Sequence, residues 1–463
     1  MLDTPPVKYV NFIFICNVNT TTINNTPAGA AIAYINKQIL TAVAAAENGE
    51  IFDLDGYGAA GYSGDLPVVL TRSDTIAMPH GSELMMLPDR YPVVYNVVSQ
   101  QFETLSRNPF APDEKIYPVA VFNSPGYVNR HFCAYACEKP AAPLPLFSYG
   151  AVGFGQNGFR SAALQVDAEP RQDLRLMPRP KVKQGVKQMG RKYPDNRLMR
   201  HLETCALEYG CPAGKNFFLQ RYEAPLPTSR VCNARCLGCI SLQSGNQISA
   251  CQDRITFTPT AEEIFQVSLE HIRHVPKAVV SFGQGCEGEP LTAFQVIQPA
   301  IEMIRAVTNK GTINLNTNAS MPDHVKSLCK AGLDSMRVSL NSVRKKIYTA
   351  YFRPRSYHWN DVCKSIDTAR EQGRFVAVNY LNCPGVTDAQ REVDALFAFI
   401  RDHDINMIQW RNLNYDPLAY FAAMEAVASG GPAMGMARLI QALKKEFPTL
   451  VHGYFNPYLG VRG

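Results

Sequence analysis

The sequence predicts an α/β chain: a partial (βα)6 barrel of parallel strands, TIM-like in plan, preceded by a mixed, strand-rich N-terminal domain. Two patterns predict it. From about residue 215, short β-rich runs alternate six times with amphipathic stretches, the signature of βα units on a parallel sheet. Crossovers of that kind share one hand, so such a sheet curls toward a barrel, with its functional groups at the C-terminal strand ends. Before that point, brief apolar runs are punctuated by Gly, Pro, Asp and Asn, as strands and turns are. The 463 residues suit two or three domains, and 46% apolar with 19% charged residues excludes a largely disordered chain.

The N-terminal domain is expected over 1–170. An extended run spans 8–16, and the Ala-rich stretch 28–46 is predicted helical, ending at Asn48-Gly49. Short strands are expected at 67–70, 83–87, 92–98 and 119–122, and the Pro-rich stretch 140–145 should be extended. Residues 171–214 are predicted to be a basic linker. The ten Lys and Arg of 171–200 against Asp173 and Asp195 give that segment +8, so the rest of the chain is −2 for a net +6. Such a run could meet an anionic partner such as RNA, a nucleic acid, but it lacks base-stacking aromatics at a recognisable spacing, and a solvated linker is the plainer reading. The core, 215–430, should place strands at 216–221, 278–282, 312–316, 335–340, 375–381 and 406–412, with helices at 260–274, 293–309, 322–331, 344–352, 359–372 and 389–403. A C-terminal helix and tail fill 431–463. No apolar run approaches the roughly 18 residues of a membrane span. No export signal is evident, so the 13 cysteines read as thiols or metal ligands of a reducing, cytoplasmic compartment.

Chemistry concentrates just after the first core strand. Cys232, Cys236 and Cys239 stand in C-x3-C-x2-C spacing on one loop. A structural zinc wants four protein ligands. A 4Fe–4S cluster held by three thiolates keeps one iron open for a small molecule. The second strand runs into Gly283-Gln284-Gly285-Cys286-Glu287-Gly288-Glu289-Pro290, the third ends at Thr317-Asn318-Ala319, and the fourth carries Ser339-Leu340-Asn341. Arg353 follows the fourth helix, and Asn379 lies on the fifth strand. Short polar residues at strand tips also cap helices, and an arginine there also makes surface ion pairs. Cys133 with Cys137, and Cys205 with Cys211, could ligate a second cluster. Buried thiols are the plainer reading.

Together these motifs resemble the radical S-adenosylmethionine (SAM) superfamily over about residues 215–430. The resemblance implies a 4Fe–4S cluster on Cys232, Cys236 and Cys239. It implies S-adenosyl-L-methionine held through its amino group by Glu289. Asn318, Ser339 and Asn341 would hold the ribose hydroxyls and the methionine carboxylate, Arg353 that carboxylate or an anionic substrate, and Asn379 the ribose or adenine. Met407 or Ile408 could meet the adenine, although a core role is plainer. Three positions depart from the pattern: Glu287 and Ala319 stand where glycines are usual, and Asn341 where Asp is. The implied reaction is reductive cleavage of SAM to a 5′-deoxyadenosyl radical that abstracts hydrogen from an unknown substrate, with flavodoxin or ferredoxin as reductant. The N-terminal domain is expected to pack over or beside the barrel mouth and help choose that substrate. No cysteine follows Cys383 and no Asp-x-His-x-x-Gly motif is present, so neither a cysteine-rich C-terminal extension nor cobalamin is expected. The alternative is an iron–sulfur electron carrier or sensor without SAM turnover.

Overall fold

The computed structural model describes residues 38–137, 141–171, 173–243, 248–424 and 432–460. The expected run at 8–16, residues 28–37 of the expected helix and residue 140 lie outside them. The chain divides into two units, Met1–Ser124 with Asn129–Leu164, and Pro125–Val128 with Gln165–Gly463.

The first unit is built on a 13-stranded antiparallel sheet. Thr41–Ala46, expected as the end of a helix, is one of its strands, paired with Ile51–Ser63 and Ala111–Phe122. Helix propensity loses here to packing on two faces. Val43 and Ala45 enter one core with Ile51, Leu84 and Val121, while Ala42 and Ala44 enter another with Leu54, Val94 and Ile116. Asn48-Gly49 is a hairpin turn rather than a helix end. Gly49 sits at φ 88°, and Ala46 N–H donates to the Glu50 carbonyl at 2.8 Å. The other expected strands overlap Leu66–Val69, Glu83–Met86, Tyr91–Asn96 and Ala111–Phe122, the first three running one or two residues past the observed ends.

The second unit holds a seven-stranded sheet in strict sequence order, every neighbouring pair parallel. Its strands are β1 (Glu223–Leu226), β2 (Val279–Phe282), β3 (Thr312–Thr317), β4 (Ser335–Leu340), β5 (Phe375–Asn382), β6 (Met407–Asn412) and β7 (Val451–Gly453). The helices are α1 (Arg179–Lys192), α2 (Arg197–Leu207), α3 (Pro212–Phe218), α4 (Ala261–His274), α5 (Phe294–Val307), α6 (Pro322–Ala331), α7 (Lys345–Phe352), α8 (Trp359–Glu371), α9 (Gln390–Asp402), α10 (Pro417–Met424) and α11 (Met436–Glu446). Local chemistry sets their bounds. Thr260 and Glu263 form a reciprocal capping box at the start of α4, and Pro322 opens α6.

Two expectations change here. The segment 171–214 contains helices α1 and α2 and the start of α3. Val182, Val186 and Met189 make a buried stripe at helical spacing beneath the charges of α1. The strand expected at 216–221 is the end of α3 and a turn. Pro212 starts that helix, and Gln220 and Tyr222 take left-handed φ of 53° and 57° before β1 begins.

One face of the sheet is polar. Positions paired in register share a face, which lines up Ser281, Asn314 and Ser335, then Asn316 and Arg337, then Ser339, Asn379 and Gln409. Asn456, just past β7, donates to Glu223 at 2.7 Å, Ser281 at 3.2 Å and Asn316 at 3.3 Å, and accepts from Gln409 at 2.9 Å.

Candidate functional site

Backbone bonds fasten the cysteine loop at its start and at its middle. On one side, Gly288 N–H donates to Ser229 O at 2.6 Å and Glu289 N–H to Val231 O at 2.9 Å. On the other, Arg235 and Leu237 amides donate to the Phe352 and Tyr351 carbonyls at the end of α7, both at 3.0 Å. Gly288 is where these loops touch. A Cβ there would lie 2.0 Å from the Val231 carbonyl oxygen, so no larger residue fits without moving the cysteine loop.

Cys232, Cys236 and Cys239 are free and half-buried. Burial pushes the Cys232 thiol up to about 11, helped by the charge of Glu289. Burial raises Cys236 well above the ordinary thiol range, and the charges of Cys232 and Cys239 add to it. Thiolates so opposed need a strongly cationic partner, which fits an iron–sulfur cluster. Arg254 supplies one fixed positive charge, with Nη2 3.5 Å from Cys239 Sγ.

Glu289 is buried. Its carboxylate accepts from the Leu291 amide at 3.1 Å, from Thr317 Oγ1, and from the Asn318 amide at 2.8 Å. Burial lifts its carboxyl to about 7 even against those donors. Asn318 Nδ2 donates to Asn233 Oδ1 at 2.8 Å, and Asn233 Nδ2 donates to Ser320 at 2.9 Å. The loops after β2 and β3 are thereby joined through Glu289, and the cysteine loop to β3 through Asn233.

A family model described as the Radical SAM superfamily matches residues 226–398. That stretch, less than half of the chain, is similar to the radical SAM superfamily. The matched stretch begins on β1, takes in the cysteine loop and runs through most of α9. GTP 3′,8-cyclase of Marinobacter nauticus is 27% identical over 184 residues, 38% of this chain and 49% of that enzyme, so the likeness spans about half the length of the curated relative. Among solved structures, SuiB of Streptococcus suis gives a TM-score of 0.36 at 13% identity over 69% of this chain and 72% of its own. A radical SAM methyltransferase from Sphaerobacter thermophilus gives 0.33 at 15% identity over 46% and 65%. Native anSMEcpe with bound AdoMet gives 0.33 at 15% identity over 42% and 51%. Members of that superfamily bind a 4Fe–4S cluster and SAM.

Within the parallel sheet the remaining expected residues are spread along the strand ends. Ser339 and Asn379 are register neighbours on β4 and β5, and the buried Asn379 Oδ1 has no hydrogen-bond partner among the described residues. Asn341 is buried, and its Nδ2 donates to Ile347 O and Tyr420 Oη at 3.3 and 3.2 Å. Arg353 is exposed at the end of α7, in the left-handed region at φ 49°. Ala319, standing where a glycine was expected, is also left-handed, at φ 57°. Met407 and Ile408 are both buried in β6.

Several contributors have roles that the sequence did not reveal. Glu287 accepts five hydrogen bonds: from the Thr228 and Ser229 amides at 2.8 and 2.9 Å, the Thr228 hydroxyl at 3.1 Å, and the Gly283 and Gln284 amides at 2.7 Å each. It clamps the end of β1 to the end of β2. Its donors are mostly backbone groups, which no residue pattern announces. Arg337 and Arg411 face the polar interior. Burial, with the Arg411 charge, pushes Arg337 down to about 9, against the pull of Glu223, and burial also lowers Arg411. Arg337 Nη1 donates to Gln409 at 3.0 Å, while Arg337 Nε and Arg411 Nη1 have no partner among the described residues.

Proposed function

We propose that this chain is a radical SAM enzyme that abstracts hydrogen from a small anionic substrate bound at the C-terminal ends of a partial barrel. The observation carrying it is the junction of the cysteine loop with Glu289: one loop offers three thiols, and the amide of Glu289 is bonded to that same loop. Cys232, Cys236 and Cys239 would hold the 4Fe–4S cluster. Glu289 would receive the SAM ammonium. Its three protein donors fix both carboxylate oxygens in direction before the ligand arrives, which lowers the cost of ordering it. Asn318, Ser339 and Asn379 would meet the nucleoside and the methionine carboxylate. Asn341 has spent its Nδ2 on Ile347 and Tyr420, and offers Oδ1. Arg353 stands at the rim for a carboxylate. When bound, the cluster and SAM supply hydrogen abstraction from an unactivated C–H bond.

Arg337 and Arg411 favour an anionic substrate group, since each keeps an unpartnered N–H inside the polar face. GTP, from which the similar cyclase of Marinobacter nauticus takes its name, is of that chemical class. The domain over 1–170 would help select the substrate, the core over 215–430 would perform the chemistry, and a flavodoxin or ferredoxin of the cytoplasm would supply electrons. Anaerobic reconstitution followed by an assay for 5′-deoxyadenosine is the test. Cluster-dependent formation of that product is expected. A reducible cluster that never yields it would overturn this reading in favour of an electron carrier or sensor.

A further inference from the structure

A second group of sulfur and nitrogen donors lies away from the cysteine loop. His201 and Cys205 are one turn apart on α2, so they share a face. Cys286 comes from the loop between β2 and Glu287. His201 Nε2 is 3.4 Å from Cys286 Sγ and 3.6 Å from Cys205 Sγ, and all three ligating atoms lie within 4.8 Å of one another. Cys205 and Cys286 are buried at 2% and 6% exposure, and His201 is half-buried.

The spacing has a chemical meaning. Bonds of about 2.3 Å to sulfur and 2.0–2.1 Å to nitrogen, in a tetrahedron, hold S and N about 3.6 Å apart. The two measured S···N separations bracket that value. A disulfide would instead draw the two sulfurs to about 2.0 Å and leave the imidazole aside. Two thiolates and a neutral imidazole cancel the charge of a divalent cation, which suits a buried site. Both backbones are held, since Ile255 N–H donates to Cys286 O and Cys211 N–H to Cys205 O, at 2.8 and 2.9 Å.

We propose that His201, Cys205 and Cys286 bind a divalent zinc-class cation, with a water in the fourth position. Binding releases the thiol protons and fastens α2 to the loop that carries Glu287 and Glu289. The site is distinct from the cluster loop, and its residues belong to no part of the chemistry proposed above.

The experiment uses the full chain with Cys232, Cys236 and Cys239 all changed to Ala, so that loop-bound iron does not contribute. After dialysis against a weak chelator, about one zinc per chain should remain. Exchange with Co²⁺ should produce a thiolate-to-cobalt charge-transfer band. Cys205→Ser or Cys286→Ser should abolish both signals, and His201→Gln should weaken zinc affinity at least about tenfold. The unmutated chain gives a reading that needs no variant to fold: zinc should protect Cys205 and Cys286 from alkylation, and EDTA should remove that protection. Zinc content indifferent to these changes, absent protection, iron with a paramagnetic signal in the triple variant, or a Cys205–Cys286 disulfide would each overturn the proposal. None of these results bears on 5′-deoxyadenosine formation, so this site and the proposed function fail separately.

Discussion

At the residue scale, two glutamates two positions apart do different work. Glu289, proposed to receive the SAM ammonium, is singled out by resemblance, because a Gly-rich turn ending in Glu-Pro is a recognisable string. Glu289→Ala should leave the cluster intact and weaken SAM binding about ten-fold to a hundred-fold, as loss of a charge-assisted contact does. Equilibrium binding under anaerobic conditions measures it, and unchanged affinity would move the ammonium elsewhere. Glu287 was legible only as a departure from the expected pattern, since its partners are chiefly amides from two distant loops. Glu287→Gln sets an NH2 group against amide donors whichever way the side chain turns. It should lower stability by about 2–4 kcal/mol in a denaturant titration.

At the element scale, the alternating βα pattern was readable wherever a segment carries its own start and stop. Pro322–Ala331 and Ser335–Leu340 have the bounds the sequence predicts, because a proline opens one and Gly332 separates the two. Residues 41–46 were misread because alanines, which favour a helix in isolation, also suit a strand that must pack closely on both faces. Helices α1 and α2 were hidden by charge, although Val182, Val186 and Met189 hold the helical period. The touching loops give a direct test. Gly288→Ala should displace the Val231 carbonyl and reduce cluster loading several-fold with all three cysteines present. Replacing Cys232, Cys236 and Cys239 by Ala should remove the 4Fe–4S absorbance altogether. Undiminished loading in Gly288→Ala would show that the contact does not position the loop. The α2–α4 contact has an acid limit. Burial raises the Glu263 carboxyl, but Arg197, bonded through its side chain and amide, and Thr260, through its amide, bring it down to about 2. A depressed carboxylate stabilises the fold above its unfolded value near 4.5 and loses that contribution as pH falls toward about 2. The urea midpoint should therefore drop between those pH values, and Glu263→Gln should flatten the drop.

At the scale of the whole molecule, the change of pattern near residue 170 is what the sequence offers as a boundary, and the two units divide at Leu164 and Gln165. Its details were not legible. Pro125–Val128 joins the second unit although it lies inside the first in sequence, and Asn412 Nδ2 bonds Tyr127 O at 3.0 Å, a tie across 285 residues. Cutting the chain near Met199, late in the basic segment, would remove Asn196, the cap of α2, and Arg197, the partner of Glu263. A chain beginning at Gln165 keeps both. It should assemble the cluster and cleave SAM slowly, yet lose coupled turnover of the substrate. Full turnover by that shortened chain would remove the N-terminal domain from substrate choice. The polar face of the sheet carries a further consequence, one of timing. A sheet paired in sequence order can grow strand by strand as the chain leaves the ribosome, each new strand finding its neighbour already in place. Its inner row cannot be finished that way. Glu223 waits for Asn456, which is made 233 residues later. At about 5–20 residues per second that delay is roughly ten seconds or more, during which the polar interior stands open to water and to whatever delivers iron and sulfide.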